Sequence, residues 1–178
     1  MVTKDAAEKA AQHLDDALKN FDPLTATNKQ KGNLGEMASH NNMLKPKSVN
    51  GKNYNLKDLL GDPPTGLNDK IKKGIDGIYE NTTPPPKFVI DEAKYGKSTL
   101  NQKTRSGPQM SDNWVKDRLE KQLGVDKADE VAHAHKEIVP TDKVTNGNYK
   151  PKHAQTYDDL GSPTSKNDWD ANHIPIQP

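Results

Sequence analysis

Two short runs of β-branched and aromatic residues constrain this chain more than anything else in it: Gly74-Ile75-Asp76-Gly77-Ile78-Tyr79 and Lys87-Phe88-Val89-Ile90-Asp91-Glu92-Ala93-Lys94. Residues of these types suit the pleated, half-buried surface of a strand. Asn81 to Pro86 lies between the runs and reads as a stiff proline turn, so two adjacent strands are expected. The chain has little other apolar material to organise. Only 30% of its 178 residues are hydrophobic and 29% are charged, which supports a small central core with long polar arms.

Helical spacing appears on either side of this pair. Ala7, Ala10, Ala11, Leu14, Leu18 and Phe21 form a narrow apolar face that stops before Pro23. A second helix is expected from about Thr27 to Leu44, with Leu34, Met37 and Ala38 on one face and Pro46 beyond its end. Gly32 and Gly35 inside it each cost about 1 kcal/mol relative to alanine, which makes sense if another element packs closely there. Residues 47–73 read as polar and turn-rich. A helix starting near Ser111 would bury Trp114, Val115, Leu119 and Leu123 and stop at Gly124. A shorter helical or extended piece follows from Asp126 to Val139. Residues 140–178 have little periodicity and five prolines, and read as a tail that lies on the surface or orders on a partner.

Charge and cysteine usage narrow the function classes. Twenty-six basic and twenty-five acidic residues leave a net charge of +1. A nonspecific nucleic-acid binder usually carries a basic excess, because phosphate neutralisation supplies most of its affinity. Any nucleic-acid face here must therefore be local and masked by acidic residues elsewhere. With no cysteine, disulfides, thiolate zinc sites and cysteine nucleophiles are excluded. No apolar run approaches a membrane span, and Met1 to Ala10 lacks the apolar stretch of a signal peptide. An export signal would have to lie on a longer parent chain.

The chemistry-bearing residues sit on the two strands. Residues two apart in a strand share a face, so Glu92 and Lys94 project together and Asp76 can reach them from the neighbouring strand. Two converging carboxylates make a hard oxygen site for Mg²⁺ or Mn²⁺. Such an ion activates water and offsets charge on a phosphoryl transition state, and Lys94 beside it can orient the water or stabilise that charge. The plain alternative is a solvated hairpin face with an incidental Glu92–Lys94 ion pair. Asp91, on the opposite face of its strand, reads as a solvent residue.

Asp76 followed by Glu92-Ala93-Lys94 resembles the D…(D/E)xK core of the restriction-endonuclease-like, or PD-(D/E)XK, nucleases. The wider pattern resembles the nuclease domains of bacterial polymorphic toxins, including those of contact-dependent inhibition proteins and of Rhs or type VI effectors. The matching stretches are Gly32-x-x-Gly35-Glu36, Gly74 to Tyr79, Pro85 to Gly96 and Gln109-Met110-Ser111-Asp112-Asn113-Trp114. The resemblance implies an α/β fold, a small mixed sheet flanked by helices, with a core over 26–139. An N-terminal helical extension (1–25) and a polar C-terminal tail (140–178) would flank that core.

The same resemblance implies a metal-dependent endonuclease. Asp76 and Glu92 would hold the metal, Glu36 would complete its shell or its water network, and Lys94 would be the catalytic lysine. Gln109 and Ser111 would contact substrate phosphate or support the lysine, although Ser111 reads equally well as a plain helix cap. The expected role is a toxin delivered as part of a larger effector into a target cell and neutralised by a cognate immunity protein. DNA is favoured as substrate over tRNA, and a non-enzymatic binding module is the alternative from another class.

Other features read more plainly. His133-Ala134-His135 has strand-type ligand spacing, but without a partner motif a zinc site there is a minor reading. His40 lies one turn beyond Glu36 and reads as a surface residue with a possible supporting role. The Lys70 to Lys73 and Lys97 to Arg105 runs flank the proposed site, and charge runs of this size are usually just solvated. Tyr157 and Trp169 read as tail aromatics that pack back on their own domain, with an anchor on a partner protein as the alternative.

Overall fold

The computed structural model describes residues 4–49, 51–96, 99–145, 148–151, 154–157 and 163–167, with side chains over 5–48, 51–96 and 99–138. Its order is α1 (Lys4–Lys19), α2 (Asn28–Leu44), β1 (Lys47–Val49), β2 (Lys52–Tyr54), β3 (Leu56–Asp58), β4 (Gly77–Asn81), β5 (Phe88–Tyr95), α3 (Asp112–Leu123), α4 (Val125–Ala132), β6 (Lys136–Thr145), β7 (Asn148–Pro151), β8 (Ala154–Tyr157) and β9 (Pro163–Asn167). This is the α/β architecture expected from the sequence, a mixed sheet flanked by helices.

The sheet runs β3-β4-β5-β6-β8-β9, with β7 also paired to β6. β4 and β5 are antiparallel neighbours, with Gly77 opposite Asp91 and Ile78 opposite Ile90. β5 and β6 run parallel, so the chain must cross over between them, and α3 and α4 make that crossover. Alternation along β5 assigns its two faces. Val89 joins Ala10, Met43, Leu44 and Tyr79 under α1 and α2, whereas Phe88 and Ile90 pack with Trp114, Val115, Leu119 and Val131 of α3 and α4. Each layer buries an apolar face against the sheet between them, and α1 and α2 also pack on each other through Leu14, Ala17, Leu34, Met37 and Ala38.

Local signals explain the ends. Thr27 caps α2 through a capping box with Gln30, and Gly124, at φ +84, ends α3 and lets α4 start at once. Asn81 organises the proline turn. Its side chain accepts from the Asn55 and Thr83 amides and donates to the Asn53, Thr83 and Pro86 carbonyls. Gly35 places α2 directly over β5, where a Cβ would meet Tyr95 at 3.6 Å.

Two sequence expectations differ from what the structure shows. The polar, turn-rich 47–73 stretch contains the β1–β2 hairpin and the edge strand β3. The expected tail from 140 onward begins inside β6, and β7, β8 and β9 lie beyond it. Periodicity could not show these strands, because Lys143, Thr145, Asn148 and Gln155 give no apolar alternation and Pro140 interrupts the run. The proline is tolerated at a bulge. The β5–β6 register steps from Asp91↔Val139 to Ala93↔Asp142, which leaves Pro140 and Thr141 opposite Glu92. Tyr157 falls on β8, with its side chain outside the described set, and Trp169 lies outside the described residues.

Gly77 and Gly35 give opposite expectations for added bulk. A Cβ at Gly77 would fall 1.8 Å from Asp91 Oδ1 and 2.6 Å from the Tyr79 ring. Gly77→Ala should therefore cost about 2–3 kcal/mol and lower Tm by roughly 5–10 °C. Gly35→Ala meets only ordinary contacts and should hold or raise Tm, since alanine favours a helix by about 1 kcal/mol. Thermal melts by circular dichroism check both, and equal effects at the two positions would contradict the packing described.

Candidate active site

Asp76 lies one residue ahead of β4 rather than within it, and continuing the β4–β5 register sets it opposite Glu92. Two backbone contacts fix the pair: Asp76 Oδ2 accepts from the Ala93 amide at 2.8 Å, and the Asp76 amide donates to Glu92 Oε1 at 3.3 Å. The approach to Asp76 is pinned from α3. The Gln122 amide donates to the Ile75 carbonyl at 3.0 Å and accepts from the Ile75 N–H at 2.8 Å. Gly74, at φ +117, is needed there, because a Cβ would meet Gln122 at 2.6 Å. Gln122 was not among the residues expected from the sequence, since a glutamine on a helix face carries no signal of what lies across from it.

The other expected residues converge with one exception. Glu36 reaches the cluster from α2 and hydrogen-bonds to Asp76. Lys94 Nζ lies 3.5 Å from Glu92 Oε2 and donates to Gln109 Oε1 at 3.3 Å. The Gln109 amide donates in turn to Glu92 Oε2. Asn101 orients that amide: its N–H donates to Gln109 Oε1 at 2.9 Å, and its carbonyl accepts from the Gln109 N–H at 2.7 Å. Gln109 thus bridges Glu92 and Lys94. Ser111 makes no contact with Lys94 among the bonds described. It holds the N-cap position of α3 without a side-chain cap bond, and its buried hydroxyl has no hydrogen-bond partner among the described residues.

Asp91 is a correction, because it is not a solvent residue. It is 1% exposed, its Oδ2 accepts from the Ser39 hydroxyl of α2, and its Oδ1 is pressed against Gly77. α2 covers the sheet face that alternation assigned to solvent. His40 is also no ordinary surface residue, since its Nδ1 lies 3.1 Å from the Tyr79 hydroxyl and the two rings stack. Burial lowers its pKa, partly offset by Asp58 and Asp91. His133 sits at the end of α4 and contacts Asp129 there.

Packing carboxylates this closely forces protons onto them. Burial, then the charge and hydrogen bond of Asp76, raise Glu36 to about 9. Glu92 is raised well above its usual range by burial and by Asp76, with Lys94 opposing. Burial raises Asp76 to about 6, while bonds from Glu92 and the Ala93 amide hold it down. Glu36 and Glu92 therefore keep protons and donate to Asp76, the strongest acid of the three.

Among the described residues no group of three or more His, Asp or Glu side chains has the geometry of a metal-binding group. The chemistry of the donors still fits a hard divalent cation. The donors are all oxygen, they are largely removed from water, and they are held together by protons that a cation would displace. Asp76 and Glu92 are the pair that would hold it, with Glu36 beside them.

These groups form the floor of a cleft of about 1060 Å³. Its lining includes Lys29 and Lys31 of α2, Lys72 and Lys73 of the segment before β4, Lys94, and Arg118 of α3. Acidic floor and basic walls thus coexist in a chain of nearly zero net charge. Comparisons with family models, with curated proteins and with solved structures found no match to this chain.

A raised carboxyl pKa in the folded state means stability that is full below the unfolded pKa and lost as pH rises through the folded one. The metal-free protein should therefore lose Tm steadily from about pH 5 through Asp76 near 6 and Glu36 near 9. Glu36→Gln should remove much of that slope and raise Tm at pH 8 by about 5 °C. A flat profile, or no gain in the variant, would contradict the shared-proton arrangement.

Proposed function

We propose that this protein is a metal-dependent nuclease that hydrolyses phosphodiester bonds. The observation that carries the reading is the convergence of Asp76, Glu92 and Lys94 at the floor of a cleft walled by lysines and an arginine. A phosphodiester is an anion that such walls attract, and the floor offers carboxylates and a lysine where the reacting atoms would lie.

In this reading the wall lysines and Arg118 seat the strand, and the ammonium of Lys94 holds the attacking water or meets the charge building on the phosphoryl oxygens. The water oxygen forms a bond to phosphorus and gives up a proton, which Glu36, freed of its own proton when a cation binds, is placed to take. The bond to the leaving oxygen breaks, and that oxygen takes a proton from solvent. A Mg²⁺ or Mn²⁺ ion held by Asp76 and Glu92 would supply the Lewis-acid charge. Gln109 positions Lys94 against Glu92. Ser111 has no role in this scheme.

The biological setting follows from the resemblance to polymorphic toxin nucleases. In that setting the chain is the toxic part of a larger delivered effector, acts on nucleic acid in a target cell, and is blocked by an immunity protein over the acidic cleft. Among the described residues no helix is long and apolar enough to cross a membrane. DNA is the favoured substrate, with tRNA as the alternative.

Incubation with plasmid DNA and, separately, with tRNA, in Mg²⁺, Mn²⁺ or EDTA, tests the activity. One substrate should be degraded only when the ion is present. Glu92→Ala should abolish the activity, and Lys94→Ala should slow it by about a hundredfold or more while leaving the melting curve in place. Intact substrates with folded protein under every condition would leave the cleft as a binding site alone.

A further inference from the structure

Ile71 is out of keeping with its neighbours. It lies between Lys70 and Lys72 and is 47% exposed, yet it lines the basic cleft. Its Cδ1 lies where a Cβ on Gly32 would be 3.8 Å away, so the 71–73 segment sits beside the first turns of α2. Lys72 and Lys73 thereby join Lys29 and Lys31 in one wall, a track of lysines with an apolar side chain set in it. Among the described residues Lys29, Lys31 and Lys73 have no acidic partner, whereas Lys72 is paired with Asp62. Half-buried Tyr95 lines the same cleft.

We infer that the cleft takes one unpaired nucleic-acid strand, its phosphates on the lysine track and a base laid over Ile71, and that duplex is the poorer substrate. The inference rests on the nuclease reading for cleavage but stands by itself for binding. A duplex stacks the faces of its bases against one another and turns mainly backbone and base edges outward, so an exposed isoleucine finds no base face to lie on. An unpaired strand offers the flat faces of its bases, which single-strand grooves meet with a basic track and stacking side chains, and an aliphatic side chain such as Ile71 can cover such a face.

The cleft, about 1060 Å³ in volume, carries the lysine track and the carboxylate floor in one continuous lining. The floor is also recessed, since Glu92 is only 2% exposed, so the scissile phosphate must come down to it.

The test uses the whole chain with a fluorescein-labelled DNA strand, the same strand annealed to its complement, and a DNA hairpin with an unpaired loop. Binding is read by anisotropy in EDTA, and cleavage in Mn²⁺. The unpaired strand should bind and be cut at least tenfold better than the duplex, and the hairpin should be cut in its loop. Ile71→Ala, at an exposed position, should weaken unpaired-strand binding about five- to tenfold and leave duplex binding within twofold. Lys73→Ala should reduce the salt slope of unpaired-strand binding by about 0.7.

Equal binding and cleavage of duplex would overturn the inference while leaving the nuclease reading in place. Preferential binding of the unpaired strand with no cleavage of any substrate would do the reverse. An Ile71→Ala variant that loses duplex and unpaired strand alike would also overturn it, because the side chain would then be serving only the fold.

Discussion

Like charges forced together away from water are the constraint on which this structure turns. Glu36, Asp76 and Glu92 come from a helix, a strand approach and a strand, and no single element could bring them together. In the low dielectric of the interior they cannot all ionise, so protons are retained and shared. Asp91 adds a fourth buried carboxylate on the other face of β5, held by Ser39 and raising its neighbours further. A fold gains nothing in stability from such a cluster. Its stability cost is accounted for if the carboxylates exist to receive a cation and a phosphate.

The surrounding structure keeps that cluster in register. The β4–β5 pairing sets Asp76 against Glu92, and the close approach at Gly77 is what lets Asp91 lie beneath. Gln122 fixes the chain just before Asp76, and Gln109 ties Glu92 to Lys94. The bulge in β6 falls opposite Glu92, where a change in strand path can re-aim a side chain. α1 and α2 cover one face of the sheet and α3 and α4 the other, so Glu36 and Arg118 enter the cleft from opposite layers. The walls carry the positive charge and the floor the carboxylates, in a chain whose net charge is only +1.

Much of this was legible in the sequence, and the reasons are specific. The period of a strand puts Glu92 and Lys94 on one side, the two apolar runs had no better partner than each other, and the glycines of α2 marked its close packing. Burial by a distant element was not legible. Asp91 read as solvent because nothing local announces that α2 will lie over it, and Gln122 gave no sign that it would face Ile75. Ser111 kept its place at the helix start but makes no side-chain cap bond there. The strands beyond 140 escaped because their residues carry no apolar alternation. Lys70 to Lys73 were visible as a run, but only the fold sets Lys29 and Lys31 beside Lys72 and Lys73.

The claim that these carboxylates await a cation is tested most directly by calorimetric titration of the metal-free protein with Mn²⁺ at pH 7, in two buffers of different ionisation enthalpy. An ion should bind and release about one proton or more into the buffer, and Asp76→Asn should abolish the signal. Absence of binding by the folded protein, or binding that releases no proton and survives Asp76→Asn, would contradict that claim.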